Sequence, residues 1–295
     1  MSITDQPVNP REPPLRGPFP PQEQGAPGQE SEMRPRPDFG EESYVGTGKL
    51  RGRVAIITGG DSGIGRAVAV AFAREDADVV IAYLNEHADA EQTARVVRDA
   101  GRRAIVIAAD IQQERHCVEI VTRCVMEFGR VDILVNNAAH QVSHESFSEV
   151  TAEEIKTTYR TNVFACFYLA RACLSHMRPG SSIINVASIQ AYQPKPHIVT
   201  YASAKGALVT FSKGLAQELI RRGIRVNVVA PGPVWTPLII STMSPEKTEH
   251  FGEKTPIGRA AQPAELAPTF VFLASDDSRY ITGEVIGVTG GELTM

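Results

Sequence analysis

Three residue types able to move a proton stand close together between positions 188 and 205, in the run SIQAYQPKPHIVTYASAK. They are Ser188, Tyr201 and Lys205. Tyr201 and Lys205 are spaced i and i+4, so on a helix both project from one face, one turn apart. A free tyrosine has a pKa of about 10 and is a poor proton donor or acceptor near neutrality. A neighbouring ammonium stabilises the phenolate and pulls that value down, at about 1.4 kcal/mol per unit. Proton transfer is most efficient when the pKa lies near the working pH. Ser188 would then hold the reacting oxygen by a hydrogen bond. Alone, Tyr-x-x-x-Lys is a common chance pairing on helix surfaces, so the elements around it must carry the case.

Those elements begin near Arg51. The apolar run Val54-Ala55-Ile56-Ile57-Thr58 suits a strand buried on both faces. It leads into Thr58-Gly59-Gly60-Asp61-Ser62-Gly63-Ile64-Gly65, and a helical pattern over 66–75 follows. Strand, glycine turn, helix is the context that gives a glycine pattern meaning. Gly59 permits the tight turn, Gly63 lets backbone approach a phosphate, and Gly65 lets the helix pack closely on the strand. A helix start offers free N–H groups and a positive dipole end to a pyrophosphate. The spacing Gly-x-x-x-Gly-x-Gly differs from the more widespread G-x-G-x-x-G; an ordinary glycine-rich connection is the alternative.

The rest alternates. Strands are expected at 78–84, 104–109, 131–135, 182–187, 225–230 and 284–289. Helices are expected at 86–100, 113–128, 152–177, 200–222 and 263–275. Gly101 would cap the first of these. In the helix expected at 200–222, Leu208, Phe211, Leu215 and Leu219 are expected to form the core stripe. Residues 163–174 are nearly apolar all round, which predicts burial on both sides, the outer one against another subunit. Residues 237–262 lack a clean period and read as a lid. The pattern predicts an α/β fold, a single-domain, seven-stranded parallel sheet with helices on both faces. Ligands of such sheets bind beyond the strand C-termini. The glycine turn, Asp110, Asn136, Ser188 and Pro231 all fall there.

Some of these positions have plain alternatives. Asp110 is placed to meet an adenine edge or to cap the next helix. Asn136 and Asn137 would tie neighbouring strands and a cofactor together, or form an Asx turn. At the end of the second strand a carboxylate would favour NAD and an arginine NADP. The residues there are Tyr83, Leu84, Asn85, Glu86 and His87, and the choice stays open. His140 and His144 are spaced for a metal only on a helix with a third ligand, and none is expected.

The 295 residues suffice for one large domain, and 42% hydrophobic content allows a sizeable core. A net charge of −4 without a basic stripe argues against nucleic acid. No run is long and apolar enough for a membrane span. The amino terminus lacks a signal-peptide run. Cys117, Cys124, Cys166 and Cys173 show no zinc or CxxC spacing and read as small core residues in a reducing compartment, so a cytoplasmic protein is expected. Residues 1–47 differ in kind: proline-rich, with sparse, aperiodic apolar residues, they cannot form a core of their own. A disordered tail is one reading. An arm across its own domain or a neighbouring subunit is the other, with Phe19, Phe39 and Tyr44 as anchors. Residues 48–295 are expected to form a single dinucleotide-binding, catalytic domain.

At this point the chain resembles the short-chain dehydrogenase/reductase family over residues 50–295. Residues 58–65 match its TGxxxGxG loop. Asn136-Asn137-Ala138 matches its NNAG, with Ala139 where glycine is usual. Asn162, Ser188, Tyr201 and Lys205 match its Asn-Ser-Tyr-Lys tetrad, and Pro231, Gly232 and Thr236 its PGxxxT segment. Thr289-Gly290-Gly291 departs from the common DGG. The proline-rich extension with TGGDSGIGR is similar to a bacterial branch of general stress proteins and aldehyde or glucose dehydrogenase-like oxidoreductases.

The resemblance implies NAD or NADP held by Thr58, Gly59, Asp61, Ser62, Gly63, Ile64, Gly65, Tyr83, Asp110, Ile111, Asn137, Ala138, Ala139, Tyr201, Lys205, Pro231, Gly232, Val234 and Thr236. It implies hydride transfer between a nicotinamide and a carbonyl carbon. Tyr201 would be the acid or base, Lys205 its activator, Ser188 the holder of the substrate oxygen and Asn162 the holder of a relay water. It also implies a homotetramer. Residues 140–148, 190–197 and 238–251 should line the substrate pocket. They suit a small aldehyde, ketone or sugar rather than a phosphorylated compound. The competing readings are a cofactor-binding stress or scaffold protein without turnover, a methyltransferase on a similar sheet, and, within the family, an epimerase, a dehydratase or a ketoacyl reductase.

Overall fold

The computed structural model describes residues 9–11, 15 and 17–294. The first residues of the proline-rich extension, 1–8, 12–14 and 16, and Met295 lie outside the described residues. Seven parallel strands form one sheet: β1 (Val54–Thr58), β2 (Asp78–Tyr83), β3 (Ala104–Ala108), β4 (Ile133–Asn136), β5 (Ser182–Val186), β6 (Arg225–Pro231) and β7 (Val285–Val288). Their order is β3-β2-β1-β4-β5-β6-β7. The chain therefore reverses direction of growth between β1 and β4, where Ile56 pairs with Leu134. That junction is where a doubly wound sheet leaves a crevice for a ligand.

Continuous apolar runs form the central strands because helices cover both faces. One face carries α1 (Gly63–Arg74), α2 (His87–Asp99) and α9 (Pro263–Ala274). The other carries α3 (Glu114–Phe128), α5 (Ala165–Cys173) and α6 (Val199–Leu219). The alanines at 67, 69, 71 and 73 make α1 thin enough to lie close on the sheet and on α9. The four cysteines are buried and free, on α3 and α5.

Two sequence expectations are corrected. The single helix over 152–177 is broken. It runs as α4 (Ala152–Tyr159), a π-helical turn (Arg160–Phe164), and then α5. Apolar periodicity cannot register one residue inserted into the hydrogen-bond ladder, and such turns recur at functional sites. The core stripe of α6 is also shifted: Leu208, Ser212, Ala216 and Leu219 are buried. Phe211 and Leu215 are only half-buried, and Phe211 stacks on the exposed Phe167, ring centroids 3.8 Å apart. Small residues let α6 lie against the sheet, which turns its bulkier side chains outward. Phe164 and Phe167 on the outer face are 43% and 47% exposed in the single chain.

Residues 17–47 run across the same chain. Phe19 stacks on Trp235 with centroids 3.8 Å apart, and the Trp235 indole N–H donates to the Pro35 carbonyl at 2.9 Å. Phe39 enters the core beside α1 and α9. Tyr44 donates to Glu75 at 2.7 Å. A short lid of α7 (Pro237–Ile240) and α8 (Pro245–Glu249) follows β6.

Candidate active site

A cavity of about 540 Å³ opens over the C-terminal ends of β1, β4, β5 and β6. That is the size range of a small-molecule site. One end is the glycine turn. There the Asn137 side chain donates to the carbonyls of Thr58 (2.9 Å) and Gly59 (3.2 Å), while the Thr58 hydroxyl accepts from the amides of Asn137 and Ala138. β1 and β4 are thus pinned together at the switch point. A Cβ on Gly65 would stand 1.9 Å from the Gly59 carbonyl oxygen, so only glycine lets α1 start this close to the strand. Gly59 has φ +63°, and a Cβ there would press on Asn137 and Ala138. Both glycines are demanded by the turn itself.

The other end is built by β5 and α6. Ser188 follows β5, and its hydroxyl accepts from the Gln190 amide at 3.2 Å. Tyr201 and Lys205 sit in the first two turns of α6, both buried. Lys205 Nζ donates to the Val186 carbonyl at 2.7 Å and lies 5.4 Å from the centre of the Tyr201 ring. Helix spacing, expected from sequence, brings the two residues to one wall; the strand carbonyl that holds the ammonium had no sequence signal.

The electrostatics correct one expectation. Burial pushes the Tyr201 phenol up to about 12, and the Ser188 hydroxyl beside it opposes the rise. Burial likewise pushes the Lys205 ammonium down to about 8, with Cys166 opposing. Desolvation disfavours each charged form, and it raises the phenol where the i, i+4 ammonium was expected to lower it. Near neutrality the site therefore presents a protonated phenol beside a lysine that is mostly charged: a proton donor aimed into the cavity.

Nearly all the anticipated residues share this cavity wall, Asp61, Ser62, Gly63, Ile64, Tyr83, Asp110, Ile111, Ala139, Pro231, Gly232, Val234 and Thr236 among them. Three do not. Gly65 lies behind the turn in its packing role. Asn162 is fully buried in the π-helical turn and does not reach the wall. Its amide donates to the carbonyls of His140 (2.8 Å) and Thr158 (2.9 Å), and its oxygen accepts from the His140 amide. It fastens the loop after β4 to the last turn of α4. Asn136 also stays out of the cavity and donates to Asn185 at 2.8 Å. Asp110 faces the cavity and accepts from the Gln112 amide, while Gln113, not Asp110, precedes α3.

The lid contributes Leu238, Ile239, Ser241, Thr242, Met243 and Phe251 to the substrate end. From the two expected loops only His140, Gln141, Gln190, Lys195 and His197 reach it; 142–148 turn away, and His144 pairs with Glu154 instead. Sequence reasoning missed Ala26, Pro27 and Gly28 of the arm, which also line the cavity. Nothing in an aperiodic proline-rich run marks which residue will face a ligand.

The chain is similar to known proteins over most of its length. A family model described as enoyl-(acyl carrier protein) reductase matches residues 59–292. General stress protein 39 of Bacillus subtilis is 48% identical over 265 residues, covering 90% of this chain and 93% of that protein. Glucose and ribitol dehydrogenase of Daucus carota is 45% identical over 284 residues, covering 94% and 98%. Among solved structures, a short chain dehydrogenase from Burkholderia cenocepacia J2315 in complex with NADP superposes with a TM-score of 0.78. It is 31% identical, over 83% of this chain and 99% of that one.

Proposed function

The chain belongs to the short-chain dehydrogenase/reductase family of NAD(P)-dependent oxidoreductases, and from that premise we propose how its own residues act. The cavity holds a nicotinamide dinucleotide and a small carbonyl or alcohol substrate. The observation that carries this reading is the placement of Ser188, Tyr201 and Lys205 on one wall of a cavity whose other end is the glycine turn. The glycines fit the cofactor, since Cβ atoms at 59 and 65 would close the turn on which a diphosphate rests.

Bound there, the nicotinamide supplies or takes the hydride. Ser188 holds the substrate oxygen by a hydrogen bond. Tyr201 gives its phenolic proton to that oxygen as negative charge develops, and takes it back in the oxidative direction. Lys205, fixed by the Val186 carbonyl, places a positive charge under the phenol and favours the phenolate left after donation. Asn162 holds the His140 loop against the end of α4.

The substrate end mixes Leu238, Met243 and Phe251 with His140, Gln190 and Lys195. That lining suits a small aldehyde, ketone or sugar. The half-exposed Phe164, Phe167 and Phe211 support a homotetramer that covers the α5–α6 face, and light scattering tests it. The buried, free cysteines support a cytoplasmic home. Residues 48–295 are the catalytic unit and residues 1–47 its extension. A panel of small carbonyls and alcohols, followed by nicotinamide absorbance with NADH and NADPH, tests the activity. Binding of cofactor with no turnover across the panel would favour the scaffold reading instead.

A further inference from the structure

A fully buried ion pair joins the arm to the glycine turn. Glu30 Oε1 accepts from Arg66 at 2.6 Å, and Glu30 Oε2 accepts from the Gly63 amide, also at 2.6 Å. The Glu30 amide donates to Asp89 at 2.9 Å. Arg66 also donates to the carbonyls of Asp61 and Asp89, the Thr93 hydroxyl and the Gln92 side chain, pairs with the Asp89 carboxylate at 3.2 Å, and lies with its guanidinium over the Phe39 ring. Two residues before Glu30, Gly28 packs so tightly on the lid that a Cβ would stand 2.9 Å from the Pro237 carbonyl oxygen. Pro27 and Gly28 themselves line the cavity.

A buried ion pair is a weak device for stability, because desolvating both charges costs about what the pair returns. Its location suggests another use. Gly63 opens α1, and its N–H is one of the donors that every helix start leaves unpartnered. A carboxylate there sits at the positive end of the helix dipole. Resting on the proposed dinucleotide site, we infer that Glu30 is a positioning residue for the cofactor diphosphate. It locks the glycine turn through Gly63 and Arg66, leaving the next amide, that of Ile64 on the cavity wall, to the diphosphate. The arm is thereby part of the cofactor site, and its docking and cofactor binding strengthen each other, as linkage requires of any two events sharing one folded form.

The test is a titration of full-length protein with NADH and with NADPH, by calorimetry, in the parent, Glu30→Gln and Gly28→Val. It is joined to hydrogen exchange of peptides covering residues 24–36. Both variants should bind whichever cofactor the parent binds about tenfold more weakly, the scale of one lost charge-assisted hydrogen bond. The KM for cofactor should rise while that for the carbonyl stays. Saturating cofactor should slow exchange in the 24–36 peptides of the parent. Unchanged or tighter binding by the variants, or arm exchange indifferent to cofactor, overturns the inference while the oxidoreductase reading stands. A parent that binds neither cofactor overturns both. If Glu30→Gln does not fold, Gly28→Val and the exchange of the parent still decide.

Discussion

Lys205 gives a 2.7 Å hydrogen bond to the carbonyl of Val186, the last residue of β5. Two residues further on, the same strand end delivers Ser188. One short segment of backbone therefore sets the positions of the ammonium and of the hydroxyl, and α6 sets the phenol between them. A helix face alone would leave a long lysine side chain free to swing to solvent.

Tyr201→Phe keeps the ring and removes the proton. Turnover should fall by at least about 100-fold, the lower range for general acid catalysis. Cofactor affinity should stay within about twofold, since the hydroxyl and not the ring is removed. Steady-state kinetics and a fluorescence titration with NADH and NADPH check the two halves. More than about a hundredth of the parent turnover would remove Tyr201 from its role.

Lys205 makes stability depend on pH. Its folded value is about 8 against 10.5 for an ordinary lysine. Below pH 8 both states carry the proton, and the fold bears the full cost of a buried charge. Between about 8 and 10.5 the unfolded lysine keeps its proton and the folded one has lost it, so stability rises with pH. The parent should therefore gain on Lys205→Met across that window by on the order of 3 kcal/mol. Urea denaturation of both proteins at several pH values measures the gap; a gap that is flat or shrinks with rising pH would refute the assignment.

The arm should contribute to global stability through Phe19. Its ring is buried and stacked on a fully buried Trp235. Phe19→Ala should cost about 3 kcal/mol, as for other buried aromatic truncations. A cycle with Trp235→Ala should show coupling of about 0.5–1.5 kcal/mol. Denaturant midpoints of the four proteins give the number.

Asn185 is fully buried and links two elements of the site: it accepts from Asn136 on β4 and donates to Ser212 on α6, both at 2.8 Å. Asn185→Ala strands the Asn136 amide in the core. The expected loss is about 1–3 kcal/mol for that group, with a fall in kcat larger than any change in cofactor Kd, since β5 and α6 carry Ser188 and Tyr201. Thermal unfolding and kinetics on one preparation check it; a variant as stable and active as the parent would show that the network positions nothing.

The sequence by itself determined what short-range spacing can encode. Alternating apolar runs and helical periods specified seven strands and their helices. The glycines at 59, 63 and 65 specified the turn, and the i, i+4 step put Tyr201 and Lys205 on one face. Only the tertiary structure decided what depends on residues far apart in the chain. Burial, summed over many neighbours, moved the Tyr201 phenol upward where a pairwise view predicts a fall. The π-helical turn at Asn162 is a one-residue change in hydrogen bonding that leaves the apolar pattern intact. Glu30 reaches Gly63 and Arg66 across more than thirty residues of chain. No local propensity marks a carboxylate in a proline-rich run as the cap of a distant helix, because the partner that gives it meaning exists only once the sheet has formed.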